Sequence, residues 1–437
     1  MIQNTKNNTT DVKIRKLIGK ELERQRNTLQ LIPSENYASK EVLQACSSIL
    51  MNKYAEGYPK KRYYQGNTFA DEIENIAIER AKKLFHAEHA NVQPNSGSPA
   101  NMAVYFALLE PKDKVLAMNL SDGGHLTHGS GVNFSGKTYT FIPYGVDPIT
   151  ETLDMDMIRK IALAEKPKII VSGYTAYPRK IDFKAFHDIA IEVGAYSMAD
   201  ISHLAGLIVG GVHQSPLPFT DVVTTTTHKT LRGPRSAIIL SKIEDRLKEK
   251  YHPHSKKNLA QAIDSAVFPG LQGGPHLQTI AAKAIAFQEA LQPEFSTYAQ
   301  QIVKNAKALA KTLMENGLQL VSGGTDTHLI LINLHKTKFL DEPGLGKSMA
   351  IALEEAGIVT NANSVPFDLS TPFNPSGIRL GTAALTTRGM KEDEMKEIGL
   401  LITQVIKNSE NISLKEKIKE RVEELCRQYP IYTDEEY

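Results

Sequence analysis

Two cysteines, Cys46 and Cys426, are all that this 437-residue chain contains. So few argue against a disulfide framework and a cysteine metal cluster, and suit a reducing compartment. Excess charge is missing as well: 51 basic against 49 acidic residues leave a formal net charge of +2, far from the basic footprint of a nucleic-acid binder. No stretch approaches the roughly 18 apolar residues of a membrane span, and the amino-terminal text "MIQNTKNNTTDVKIRK" has no apolar signal core. Internal repeats and low-complexity tracts are absent too. What remains is the expectation of a soluble, cytoplasmic protein that binds small neutral or anionic ligands, holds no metal, and engages neither nucleic acid nor membrane.

The length exceeds what one hydrophobic core fills, so a large domain plus a smaller one is expected. A first helix over about 11–27 carries Val12, Ile14, Leu17, Ile18 and Leu22 on a rough helical stripe. From 68 to about 335, amphipathic helices alternate with short apolar strands, the pattern of an α/β domain. The strands expected are "KVLAMN", "KTYTFIP", "KIIVSG", "GAYSMAD", "DVVTTTT" and "SAIILS". A long helical zone broken at Pro293 reads as a connector, and "LILINL", "SGIRLGT" and "SLKEKIKERVEELCRQY" read as a smaller α+β domain.

In open α/β sheets, ligands bind outside the carboxyl ends of the strands. Two strands end in ionisable residues: "GAYSMAD" delivers Asp200, with His203 close behind, and "DVVTTTT" delivers His228 and Lys229, with Arg235 in the following turn. A lysine beside a carboxylate is ordinarily a structural ion pair. The alternative is a pyridoxal phosphate site, which needs a lysine for a Schiff base and a carboxylate opposite the pyridine nitrogen. Such a cofactor also needs a phosphate cradle. Ser96, Gly97 and Ser98 stand before a helix, where free amides attract an anion, although a serine there can equally be a plain cap. Gly273 and Gly274 could add backbone donors, and His125 could lie on a planar ring or simply occupy a turn. Arg379, in an apolar strand, is suited to a substrate carboxylate or to an internal acidic partner. "MNKYAEGYPKKRYYQG" is too polar for core and too aromatic for a solvated loop. It reads as a subunit contact that also supplies a carboxylate, Glu56, whose pKa desolvation would raise toward neutrality.

Taken in order, "LIPSENY", "NKYAEGYPKKRYY", "VQPNSGSPAN", "GGHLTHG", "TTTTHKTLRGPR", "VFPGLQGGP" and "SGIRLGT" closely resemble the serine hydroxymethyltransferase family, from about residue 16 to the last helix. The resemblance implies an aspartate-aminotransferase-like fold. This has an N-terminal helical arm (1–40), a large cofactor domain (41–295) with a mostly parallel seven-stranded sheet, and a small α+β domain (296–437). It implies that Lys229 holds pyridoxal phosphate as a Schiff base, Asp200 pairs with the pyridine nitrogen, His125 stacks on the ring, and His203 bonds the phenolic oxygen. Ser96, Gly97 and Ser98 would hold the phosphate, helped by Gly273 of the partner subunit. Arg379 and Ser34 would bind the substrate carboxylate, and His228 and Arg235 would arrange groups around the lysine. Tyr54, Glu56 and Tyr64 of the partner subunit would complete the site, making an obligate homodimer. Leu120, Gly124, His125, Leu126, Asn363, Thr371, Pro372 and Phe373 would meet tetrahydrofolate.

The activity so implied is reversible conversion of L-serine and tetrahydrofolate to glycine and 5,10-methylenetetrahydrofolate, with Glu56 managing protons. Three positions depart from the family's common text: Ser236 where glycine is usual, Ser202 where alanine is frequent, and Thr371 where serine is common. A threonine aldolase shares the bond cleavage without the folate; the tyrosine-rich stretch and Asn363 favour the transferase. A silent homologue kept as an RNA-binding protein is disfavoured by the near-neutral charge and by the retained lysine, aspartate and glutamate.

Overall fold

The computed structural model describes residues 11–340 and 342–433; the first ten residues of the expected arm lie outside the described residues. Seven strands form the central sheet, in the order His89–Asn91, Ala237–Ser241, Val222–Thr226, Tyr196–Asp200, Ile169–Ser172, Lys114–Met118, Thr140–Tyr144. Only Ala237–Ser241 runs antiparallel to its neighbours, so the sheet is mostly parallel, as expected. Helices cover both faces, which is why strands such as Ile169–Ser172 and Val222–Thr226 are buried at every position and read as continuous β-branched runs. Six of the seven were legible as such. His89–Asn91 was not, being three residues long and largely polar. In "KTYTFIP" the strand begins only at Thr140, because Phe134–Thr138 form a helical turn.

The smaller unit is a four-stranded antiparallel sheet, Gln319–Leu320, Leu329–Asn333, Gly377–Gly381, Asn361–Asn363. It is packed with Glu392–Lys407 and Ile412–Gln428 around a core that includes Leu309, Ile332, Ile398 and Val422. Helix Glu294–Glu315, started by Pro293, joins the two units. Its Phe295 and Ile302 sit in the large core, while its Leu309 and Leu313 sit in the small one.

The first helix, Val12–Asn27, is capped by Asp11 and buries none of its residues. After it, Leu29–Gln30 pairs in parallel with Ile358–Val359, and Leu29 and Leu31 enter the small core. The arm therefore returns at once to the small unit, which brings residues 33–37 over the carboxyl ends of the large sheet.

Candidate active site

Strand Val222–Thr226 is followed by a loop that backbone and side-chain bonds fix in place. Gly233 N–H donates to Thr227 O at 2.7 Å, Thr227 Oγ1 donates to Pro234 O at 2.6 Å, and Asn36 Nδ2 donates to the Lys229 carbonyl at 2.9 Å. This loop delivers the Lys229 amine, whose Nζ donates to Thr226 Oγ1 at 3.1 Å. Among the described residues no carboxylate forms an ion pair with it, so the structural-pair reading fails. Burial lowers the amine to about 8, with Asp200 opposing the shift and Arg379 and Arg235 adding to it.

Asp200 closes the neighbouring parallel strand. Its carboxylate accepts from Asn101 Nδ2 at 2.8 Å and from the Ser202 amide at 3.1 Å, and His128 Nε2 lies 3.5 Å away. Burial opposes its charge, but the hydrogen bond and charge from His128, together with His125 and Asn101, outweigh that and hold the carboxyl well below the usual range. The histidines nearby are the reverse case. Burial lowers His125 to about 4 and His228 to about 3, and brings His203 well below its ordinary value.

A cavity of about 210 Å³ unites these groups. Ser96, Gly97, Ser98, His125 and Asp200 line it, as do His203, His228, Lys229, Arg235 and Ser34. Helix Gly97–Leu108 starts at this cavity, and Ser96 makes no side-chain cap bond. The plain-cap reading of the serine therefore fails, and the first amides of the helix keep their affinity for an anion. A Cβ on Gly97 would lie 2.8 Å from Thr226 Cγ2: the helix start is pressed onto the lysine strand, so glycine is required.

Arg379 is buried on Gly377–Gly381, donating from Nε to Asn361 Oδ1 at 3.1 Å and from Nη1 to Thr175 O at 2.8 Å. No acidic residue pairs with it among the described residues, which removes the internal-partner reading. Burial lowers it to about 10, so it is a cation at neutral pH. Thr175 itself lines the cavity, and this contact ties the small sheet to the site.

Of the expected cofactor and substrate residues, Arg379 reaches the cavity only through Thr175, and Glu56, Gly273, Tyr54 and Tyr64 are not brought to it within one chain. Glu56 and Gly273 line a second recess with Tyr63 and Phe268, Tyr54 and Tyr64 stack edge-on at 5.1 Å, and a Cβ on Gly274 would meet the Tyr54 ring at 3.2 Å. Arg62, within the stretch read as a subunit contact, buries its side chain inside its own chain. Its Nη1 donates to Ala55 O at 2.9 Å and Gly57 O at 2.8 Å, the carbonyls on either side of Glu56, while Nε and Nη2 meet Asp71 and Glu74. The folate candidates divide between two loops. Leu120 and Leu126 are exposed, and Gly124 between them lies so close to Met118 O that a Cβ would stand 2.3 Å from it. Thr371, Pro372 and Phe373 are exposed, whereas Asn363 is half-buried beside the Arg379 strand.

Several members were missed. His128, within the quoted "GGHLTHG", and Asn101, a buried amide four residues after Gly97, both meet Asp200. His328 stacks on His203 with centroids 5.4 Å apart. Asn36 and Asn361 hold Lys229 and Arg379. A buried polar residue at the start of an element was the available signal for Asn101 and His328; nothing in the sequence told which partner each would find. Ser202, one of the departures, lines the cavity and accepts the Thr226 amide at 3.1 Å through its hydroxyl.

An amine with no ion-pair partner among the described residues, an uncapped helix start packed so closely on the lysine strand that a Cβ on Gly97 would lie 2.8 Å from Thr226 Cγ2, and a buried anion on the neighbouring strand form a donor set that fits pyridoxal phosphate. The family model described as serine hydroxymethyltransferase matches residues 7–402. A serine hydroxymethyltransferase of Koribacter versatilis (strain Ellin345) is 51% identical over 427 residues, covering 98% of this chain and 96% of its own length. On this evidence the chain belongs to the serine hydroxymethyltransferase family, pyridoxal-phosphate enzymes that convert L-serine and tetrahydrofolate reversibly into glycine and 5,10-methylenetetrahydrofolate.

Proposed function

We propose that the Lys229 cavity is where this chain carries out that reaction, with the division of labour set by the geometry above. Pyridoxal phosphate, when bound, supplies the electron sink that allows the bond between Cα and the hydroxymethyl carbon of serine to break. Lys229 holds its aldehyde carbon, Asp200 keeps its ring nitrogen protonated, His125 covers the ring and His203 meets its phenolic oxygen. Ser96, Gly97 and Ser98 hold the phosphate, together with Gly273 of the partner subunit. The free edge of the Arg379 guanidinium takes the serine carboxylate by two parallel bonds, with Ser34 beside it. His228 and Arg235 flank the lysine.

Glu56 of the partner subunit takes the proton from the serine hydroxyl as the carbon bond opens, and Tyr54 and Tyr64 of the partner subunit close the site against water. Support for this sharing is the separation, within one chain, of the Glu56 recess from the Lys229 cavity. The exposed stripe of Val12, Ile14, Leu17 and Ile18 is a second surface suited to the homodimer contact. Leu120, Gly124, His125 and Leu126 form one side of the folate site, and Asn363, Thr371, Pro372 and Phe373 the other. Their exposed apolar groups suit a flat ring. The chain divides into an arm (1–40), a cofactor domain (41–295) and a small domain (296–437), and its free thiols Cys46 and Cys426 suit the cytoplasm. Among the described residues no helix is long and apolar enough to cross a membrane. A side aldolase activity on other 3-hydroxy amino acids follows from the same bond cleavage.

The observation that carries this reading is a pair of buried cations, Lys229 lining the cavity and Arg379 bonded to the carbonyl of Thr175, which also lines it, with no carboxylate among the described residues ion-paired to either. Borohydride reduction, digestion and mass spectrometry should find the cofactor on Lys229; an unmodified Lys229 peptide from active protein overturns the assignment. Glycine formation from serine should depend on tetrahydrofolate, and equal yields with and without it would favour the aldolase.

A further inference from the structure

One fully buried amine takes no part in the scheme above. Lys283, on helix Leu277–Ala290, is 1% exposed and forms no ion pair among the described residues. Burial lowers it to about 7, with Glu74 opposing the shift. Burying an ammonium in neutral surroundings is costly unless each N–H finds an acceptor. Here three acceptors surround it: the Val92 carbonyl, Ser236 Oγ at 2.9 Å and the Ala237 carbonyl at 3.2 Å.

Those acceptors belong to two chain segments that cross at this point. Val92 precedes Gln93, Pro94 and Asn95, which lead directly into Ser96, Gly97 and Ser98. Ser236 and Ala237 follow directly on Arg235. The same serine joins the two segments: Ser236 Oγ donates to Pro94 O at 3.0 Å while accepting from Lys283, and Ala237 N–H donates to Pro94 O at 3.3 Å. On its other side the Ser236 carbonyl accepts from the Thr227 amide at 3.0 Å, two residues before Lys229. The bridge between Pro94 and Lys283 is made by the Ser236 hydroxyl, so a residue without one at this position would leave both groups unjoined.

We propose that Lys283 and Ser236 are positioning residues for the phosphate cradle, a buried tie that fixes the segment entering Ser96–Gly97–Ser98 against the segment carrying Arg235. The tie acts through the backbone and touches neither cofactor nor substrate. The inference rests on the reading of Ser96, Gly97 and Ser98 as the phosphate cradle, and its test separates the two. A tie that sets the cradle alters recognition of the phosphate group, whereas a general loosening of the fold weakens every ligand of the cavity.

The experiment measures the affinity of apoprotein for pyridoxal phosphate and for pyridoxal, which lacks the phosphate, by absorbance titration of wild type, Ser236→Ala, Lys283→Met and a Ser96→Ala/Ser98→Ala control, with the melting midpoint of each apoprotein recorded. For Ser236→Ala, affinity for pyridoxal phosphate should fall about three- to tenfold, the worth of one net hydrogen bond, with pyridoxal affinity unchanged. For Lys283→Met the same selective loss should be larger. Should that variant fail to fold, Ser236→Ala carries the test alone. Equal weakening of both ligands by Ser236→Ala, or no weakening of either, overturns the tie. If the Ser96/Ser98 control leaves the ratio of the two affinities unchanged, it is the cradle reading that fails; if the control moves the ratio and Ser236→Ala does not, the cradle stands and the tie falls.

Discussion

Around Lys229 the side chains face inward onto one another's partners: Asn101 bonds Asp200, with His128 Nε2 3.5 Å from the same carboxylate, Ser202 bonds the Thr226 amide, and Thr226 bonds the lysine itself. Around Glu56 the backbone is bonded instead. Arg62 grips the carbonyls of Ala55 and Gly57, Gln93 donates to Gly57 O at 2.9 Å, and Tyr54, Tyr63 and Tyr64 are left 55%, 70% and 46% exposed. The difference shows how one chain prepares two kinds of catalytic group. The Lys229 groups are held by their side-chain partners; Glu56 sits on a backbone held by Arg62 and Gln93, with its carboxylate beside Tyr54. The two regions meet at Gln93, whose amide bonds Glu74 at 2.7 Å and which lies between the Lys283-bonded Val92 and Pro94.

The comparison breaks most visibly if the two regions serve the same chain's site. Glu56→Gln should retain the cofactor and lose about 10²–10⁴-fold in serine cleavage, the usual worth of a general acid or base, while Lys229→Ala should lose both. Mixing the two inactive proteins under exchange conditions should restore on the order of a quarter of wild-type activity, since half of a symmetric pair's combinations are hybrids with one intact site of two. No recovery despite demonstrated subunit exchange would place Glu56 at its own chain's site.

A smaller but still large effect is expected at the support of the hairpin. Arg62→Met leaves Glu74, 0% exposed, without its cation, which should cost about 3–5 kcal/mol of stability. Below the melting midpoint the protein should still bind cofactor at Lys229 and fail in serine cleavage. Loss of both together would mean that the two regions are not built independently.

Within the Lys229 region, Arg379→Lys keeps the charge and removes the fork. Losing one charge-assisted bond of about 2 kcal/mol should raise KM for serine roughly thirtyfold with a modest change in kcat. An unchanged KM would remove the carboxylate from this residue.

The mildest prediction concerns pH. The amine of Lys229 is drawn from 10.5 to about 8 by burial, and only its uncharged form attacks an aldehyde. Capture of pyridoxal phosphate by apoprotein, followed by rapid-mixing absorbance, should therefore accelerate as pH rises through about 8 and level off above it. A rise continuing toward 10.5 would mean that the amine is solvated rather than buried.

Much of the large sheet was legible because a strand buried on both faces must be written in Val, Ile and Thr. The edge strand His89–Asn91 obeys no such demand and was missed. Helix Phe183–Val193 matches the expected "FKAFHDIAIEV", since an amphipathic stripe between Asp182 and Gly194 leaves little freedom at either end. Of the site, the groups at strand ends and in glycine turns could be read. The stretch holding Arg62 reads as a subunit contact; that its guanidinium reaches Asp71 and Glu74 was not legible, because these lie on a helix face that local composition does not reveal. Lys283 went unnoticed in the helical text "AAKAIAF", where a lysine ordinarily faces water.

By itself the sequence determined the chemistry available: which strand ends carry an amine, an acid and a guanidinium, and which glycines precede helices, since these follow from residue type and local pattern. The tertiary structure alone decided which of these groups share a cavity and which, such as Glu56, sit in a separate recess. It also decided whether each cation has an acid beside it, and that a lysine in mid-helix ends among three oxygens. Pairings across hundreds of residues depend on how the sheet and its helices pack, and packing sets both the distance between two charges and the water excluded from around them.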